Sequence, residues 1–177
     1  MKTILILATL LFSVQLSPLS FQRPKPVPEV KRVQNQIKKN SPKISKEYSK
    51  TLAKTILEKS KKHGVSPTIL AAVLMQESSY RISAKNFRCG ISVTTGEQDC
   101  VVVDYGIGQI NHKTIKNFNF DETRLLSDLE YSVEAAAIVL ADFKRMYGHK
   151  EEEYWTRYNS STPSKREKYK MLVARYM

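Results

Sequence analysis

Glu77 is the residue whose surroundings set it up for chemistry. Its segment, beginning at Ser66-Pro67 and running to about Ser78, has a helical pattern. At about 100° per residue, Leu70, Val73, Leu74 and Glu77 fall within about 100° of arc, with Glu77 between the other three. The pattern therefore puts a carboxylate on the stripe that must be buried. It also puts that carboxylate in the last turn, where the negative end of the helix dipole opposes ionisation. Both effects favour the protonated form and raise the pKa. A carboxylic acid that keeps its proton near neutral pH is suited to general acid catalysis. Two alternatives stay open: Arg81 lies one turn further on, on the same side, and offers an ion pair, and a last-turn carboxylate can swing to solvent where the stripe ends. The histidines His63, His112 and His149 and the cysteines Cys89 and Cys100 have no zinc-ligand spacing, so no metal is expected.

The elements that must position Glu77 are mostly helices. Ile44, Tyr48, Leu52 and Ile56 recur every four residues in a helix that Gly64 stops. Ser66 and Pro67 supply an N-cap and a first-turn proline for the next. Residues 86–104 differ: Ile91-Ser-Val-Thr-Thr and Val101-Val-Val flank Gly96-Glu97, a hairpin-like excursion or an unpaired loop. A long helix follows, with Ser127-Asp128-Leu129-Glu130 as a capping box and Gly148 as its end. Glu151-Glu152-Glu153 sets acid at the start of a short helix, where the dipole favours it. Thr162-Pro163 or Ser164 with Glu167 opens the last. The sum is a mainly α domain of about six helices with one small β or loop insertion.

The chain has 177 residues, enough for one domain with a real core. With 41% hydrophobic and 26% charged residues the composition is globular. Only one long apolar run exists, which excludes a multi-span membrane protein. The net charge of +12 is uneven. Residues 1–62 hold 14 Lys/Arg and 3 Asp/Glu, whereas residues 63–177 hold 15 and 14. The basicity belongs to the front of the chain and suits a solvated arm or an anionic surface. That arm has almost no aromatic residues for base stacking, so nucleic acid is not an expected partner.

Met1-Lys2, the apolar stretch Ile4 to Leu16 and Ser17-Pro18-Leu19-Ser20 have the order of a secretory signal, so residues 1–20 are expected to direct export. Residues 21–43, with Pro24, Pro26, Pro28 and Pro42 among Lys and Arg, are expected to form an extended, basic, Pro-rich linker. The domain proper is then 44–177. Export permits disulfides, and Cys89 and Cys100 are expected to form one. In the chain-entropy model so small a loop contributes roughly 3 kcal/mol.

Met75-Gln76-Glu77-Ser78-Ser79-Tyr80, then Asp104-Tyr105-Gly106-Ile107-Gly108-Gln109-Ile110-Asn111, then the Ala-rich helix and Arg157-Tyr158-Asn159, occur in one order. Over roughly residues 46–177 this order resembles the lytic transglycosylase family with a soluble, goose-lysozyme-like catalytic domain. The resemblance implies a lysozyme-like fold with Glu77 as the single catalytic acid and Ser78 packed beside it. Gly106 and Gln109 would belong to a Gly-x-x-Gln segment, Gln109 lining the sugar groove. Tyr158 would orient the catalytic Glu, and Asn159 complete its turn. Gly108 departs from the Met frequent there, which would remove a groove wall and loosen the backbone. Ser160-Ser161 replaces Ala-Gly after the Tyr-Asn.

Most glycosidases use two carboxylates; Glu97, Asp99 and Asp104 are candidates for a second, and no spacing fixes any of them near Glu77. The resemblance implies that one suffices: Glu77 acts as acid, then base, on the bond between N-acetylmuramic acid and N-acetylglucosamine, leaving a 1,6-anhydro end without metal or cofactor. The implied partner is the peptidoglycan glycan strand, in the periplasm or at the wall. The enzyme would be a monomer that accompanies secretion, conjugation or phage machinery. A lysozyme-like muramidase, with Asp99 or Asp104 as base, and a non-catalytic peptidoglycan-binding module are the rival expectations.

Overall fold

The computed structural model of the chain describes residues 27–91 and 98–177. The expected export signal, residues 21–26 of the expected linker and Glu97 lie outside the described residues, as does the side chain of Asp99. The first described element corrects an expectation: α1 (Glu29–Asn40) is a helix where extended chain was foreseen. Val30, Val33 and Ile37 form an apolar stripe at helical spacing, and Val33 and Ile37 are buried. The prolines do not oppose this, because Pro28 sits at the N-cap and Pro42 beyond the end. The Gln36 and Asn40 amides donate to the Tyr176 carbonyl at 2.8 and 2.7 Å, fastening α1 to the C-terminal end. Its lysines thus lie on a helix fixed to the core, not on a free tether.

The helix α2 (Lys46–His63) starts at Ser45, whose hydroxyl accepts from Tyr48 N–H, and stops at Gly64, left-handed at φ 66°. The central helix α3 (Pro67–Ser78) follows, capped by Ser66. Strand β1 (Lys85–Ile91) pairs antiparallel with β2 (Gln98–Tyr105), and Cys89 stands opposite Cys100 in a disulfide. The excursion is therefore a paired hairpin, as one of the two expectations held. Strand β3 (Ile110–Asn111) completes the sheet on β2.

Helices α4 (His112–Phe118), α5 (Glu122–Ser127) and α6 (Leu129–Tyr147) come next, then a 3-10 turn, Tyr154–Tyr158, and α7 (Pro163–Ala174). The expected box at the start of α6 is replaced by a simpler cap. Ser127 closes α5, its hydroxyl donating to Thr123 O at 2.8 Å, while the Asp128 carboxylate accepts from Tyr131 N–H at 3.0 Å.

Seven α-helices among the described residues, with one three-stranded sheet, make the mainly α domain that was expected. No helix among them is long and apolar enough to cross a membrane. Helix α3 runs through the centre, touched by α1, α2, α6 and α7. Leu70, Ala71, Ala72, Val73 and Leu74 are all fully buried, so burial extends around the helix rather than along one stripe. The alanines allow neighbours to approach closely. Helices α2 and α6 are pinned by charge as well: buried Lys59, with Lys62 and His63, gathers on Glu134, whose carboxyl Lys62 holds down at about 2.

Candidate active site

The C-terminal end of α3 is held in a strained turn. Ser79 and Tyr80 both have left-handed backbones, φ 55° and 65°, at about 1–2 kcal/mol each for residues with a Cβ. Packing overrides that penalty. The Tyr80 side chain is buried, and Tyr48 Oη donates to its carbonyl at 2.9 Å. Ser78, also buried, ties this turn to the next site segment: its hydroxyl donates to Ile107 O at 2.7 Å and accepts from Arg81 N–H at 3.1 Å.

Residues 106–109 form the second wall. Gly106 has φ 73°, and a Cβ there would overlap the Leu125 carbonyl oxygen and meet Ser132 Oγ at 2.6 Å. Gln109 is left-handed too, φ 47°. Its amide donates to Gly106 O at 2.9 Å and Ala84 O at 3.1 Å, so both N–H groups hold backbone and only Oε1 is left for a ligand.

Gly108 is not a missing wall, as the sequence suggested. A Cβ there would lie 2.8 Å from Tyr158 Oη and 2.9 Å from Ala136 Cβ. Tyr158 occupies that space, and its hydroxyl donates to Gly108 O at 2.7 Å, which fixes the backbone instead of loosening it. Tyr158 therefore supports this wall and has no hydrogen bond to Glu77.

The hydroxyl that meets Glu77 belongs to Tyr169 on α7, donating to Oε1 at 2.5 Å. Sequence reasoning missed it. The available signal was a tyrosine one turn before Val173 at the end of the helix's polar stretch, because a buried tyrosine hydroxyl needs a partner. The ion-pair alternative for Glu77 is not realised: Arg81 Nε donates to Ser78 O at 3.0 Å. Burial pushes the Glu77 carboxyl up to about 7, the Tyr169 hydrogen bond opposes that rise, and the Asp104 charge adds to it. Burial and the Glu77 charge likewise push both Tyr158 and Tyr169 well above the usual phenol range, so both remain hydrogen-bond donors.

Asp104 shares with Glu77 a cavity of about 570 Å³, which Asn159 also lines. On the sheet it stands opposite Asn86 on one side and Asn111 on the other, and Asn86 Nδ2 donates to its carboxylate at 2.8 Å. Two further cavities adjoin. One of about 370 Å³ shares Gln109, Asn111, Tyr158 and Asn159, and one of about 320 Å³ shares Glu77 and Asn159 on the α7 side. Glu77 thus stands at the middle of an extended cleft, a shape for a polymer rather than a compact ligand. The expected dipole role of Glu151 is replaced by a clasp. Glu151 accepts from Arg157 at 2.6 and 3.0 Å and from Arg166 at 2.7 Å, locking the turn that carries Tyr158 and Asn159 to the helix that carries Tyr169.

The Tyr169 contact has a measurable consequence. In Tyr169→Phe, Glu77 loses the hydrogen bond that favours its ionised form, so its pKa rises further above about 7. The alkaline limb of the pH profile of kcat/KM should move to higher pH. A limb that stays in place or moves down removes Tyr169 from this role.

The helical fold, the small sheet and the partly buried acid at mid-cleft define a lysozyme-like domain. The Transglycosylase SLT domain family model matches residues 54–172, which hold Glu77 and every cleft residue named above, and the chain belongs to that family. It is a lytic transglycosylase family, acting on the peptidoglycan of the cell wall. Among curated proteins none matches the chain.

Proposed function

We propose that the chain is an exported lytic transglycosylase that cuts the β-1,4 bond between N-acetylmuramic acid and N-acetylglucosamine without water. The observation that carries this reading is Glu77: partly buried at mid-cleft, free of a cation partner among the described residues, and protonated up to about pH 7. Its proton passes to the glycosidic oxygen as the C1–O bond breaks, and the N-acetylglucosamine end leaves with that proton. The oxocarbenium-like charge at C1 is eased by the muramoyl N-acetyl group. The Glu77 carboxylate then takes the proton of the C6 hydroxyl, and O6 bonds to C1. The 1,6-anhydro ring forms and Glu77 is protonated again, so the group's raised pKa serves both steps. In this reading Ser78 and Gly106 fix the two walls, and the Gln109 oxygen and Asn159 contact sugar.

Asp104 supports a second reading. It lies in the cavity that Glu77 lines, where a carboxylate able to activate water would make the enzyme a hydrolase. Mass spectrometry of sacculi digested with the purified protein separates the two. Transglycosylation gives anhydro-muropeptides, lighter by one water than the reducing ends of hydrolysis. Anhydro ends are the expected product, and reducing ends alone would overturn the first reading.

A further inference from the structure

The residues around Glu77 are far more basic than the domain that holds them. Residues 63–177 are close to charge balance, with 15 Lys/Arg and 14 Asp/Glu. Yet the cavities about Glu77 are lined by Arg81, Lys85, Lys113, Arg157, Lys165 and Lys168, and on the acidic side by Glu77 and Asp104. Helix α7 shows how selective this is. It carries four closely spaced cations beyond its first turn's start, and the protein neutralises those that face away from the cleft. Arg166 binds Glu151 at 2.7 Å, and Lys170 binds Glu153 at 2.7 Å. Lys165 and Lys168, which line the cavity beside Glu77, are exposed, and among the described residues no carboxylate lies within ion-pair distance of either. Glu167, the one acid of α7, does not line that cavity.

We infer that the α7 side of the cleft is a subsite for the free carboxylates of the peptide stems borne by the glycan strand, held by Lys165 and Lys168. The inference rests on the functional reading above and names the form of substrate it prefers. A strand lying across Glu77 carries its stems on the muramoyl units next to the cut bond. Two lysines about one turn apart are mobile point charges on flexible stems. They suit carboxylates on a mobile peptide better than a rigid planar group. Leu172, lining the same cavity, offers apolar contact to the stem's aliphatic carbons.

The test uses three polymers with the full chain: native strands, strands whose stem carboxylates are capped as neutral amides, and strands stripped of peptide. Capping should raise the wild-type KM about fivefold at low salt. The difference should vanish near 1 M salt, where the screening length is about 3 Å. In Lys165→Gln/Lys168→Gln, the ratio of KM on capped to native strands should fall to about one. Lys165→Arg/Lys168→Arg should keep the wild-type ratio, which a merely structural role of these exposed side chains would not predict. Equal wild-type KM on native and capped strands overturns the subsite, as does a glutamine variant that keeps the preference. Stripped strands retain only the lactyl carboxylate of the muramoyl unit. A KM on them as low as on native strands would move the anion to that group and overturn the stem assignment. The functional reading fails separately: reducing ends in place of anhydro ends sink the transglycosylase step while the KM ratios still decide the subsite. Cleavage of no polymer by wild type sinks both.

Discussion

Glu77→Gln is expected to lower glycan cleavage about a thousandfold and, at the same time, to make the protein more stable at alkaline pH. The first effect follows from removing the proton donor. Gln keeps the shape and still accepts the Tyr169 hydrogen bond, so the cleft should not rearrange. The second effect follows from linkage. The Glu77 pKa rises on folding from the ordinary 4.5 to about 7, so between these values the folded state binds more protons than the unfolded one. Stability therefore falls as pH rises through that window and levels off above it. Gln carries no such penalty. Above about pH 7 the variant should exceed wild type by up to about 3 kcal/mol, an upper figure because the carboxyl is only largely buried. Below about pH 4.5 the two should coincide. Thermal melts across pH 4 to 9 by circular dichroism measure this, together with turnover on purified sacculi. A variant that cleaves at wild-type rate, or whose stability advantage does not grow with pH, contradicts the assignment of Glu77 as the proton-holding acid.

The same residues show how far the sequence carried. The acid was legible because a charged residue on an apolar helical pattern is a local signal. So were the caps at Ser45 and Ser66 and the left-handed stop at Gly64, each decided by one or two neighbours. What was not legible depends on contacts between distant segments. Tyr169 reaches Glu77 from a helix that nothing near Glu77 predicts. Helix α1 was hidden by flanking prolines, whose composition spoke for extended chain while Val33 and Ile37 supplied the burial. Asp104, one of three candidates for a second carboxylate that no spacing could place, is the most instructive case. Continuing the register from the Cys89–Cys100 pair would set Val103 opposite Asn86. The register slips between Asn86 and Phe87, so that Asp104 stands there instead. A slip of one residue turns a side chain to the other face of a sheet. Without knowledge of that bulge, no spacing rule could bring Asp104 to the cavity of Glu77. Gly108 was misjudged for a related reason: its missing side chain leaves room for Tyr158, which comes from 50 residues away.

Gly106→Ala should have the largest effect on the folded state itself. Two independent constraints act at this position. At φ 73° an alanine is strained wherever it sits. Its methyl group would also collide with the Leu125 carbonyl and with Ser132 Oγ at 2.6 Å, neither of which yields easily. Ser132 Oγ already accepts from Ile107 N–H at 3.3 Å, and the Leu125 carbonyl is helical backbone. Together these predict a loss of about 2–4 kcal/mol, seen as a drop in Tm of several degrees. Activity should fall further than stability explains. The Gly106 carbonyl accepts from the Gln109 amide, and the next carbonyl, of Ile107, accepts from Ser78 beside Glu77. A shift of this turn moves both walls relative to the acid, and displacement of about 1 Å costs on the order of a hundredfold in rate. The measurements are Tm and turnover at a temperature where the variant is fully folded. A variant that melts with wild type shows that this turn can move without penalty. One that melts early but, when folded, cleaves at the wild-type rate shows that the walls do not depend on Gly106 for their spacing.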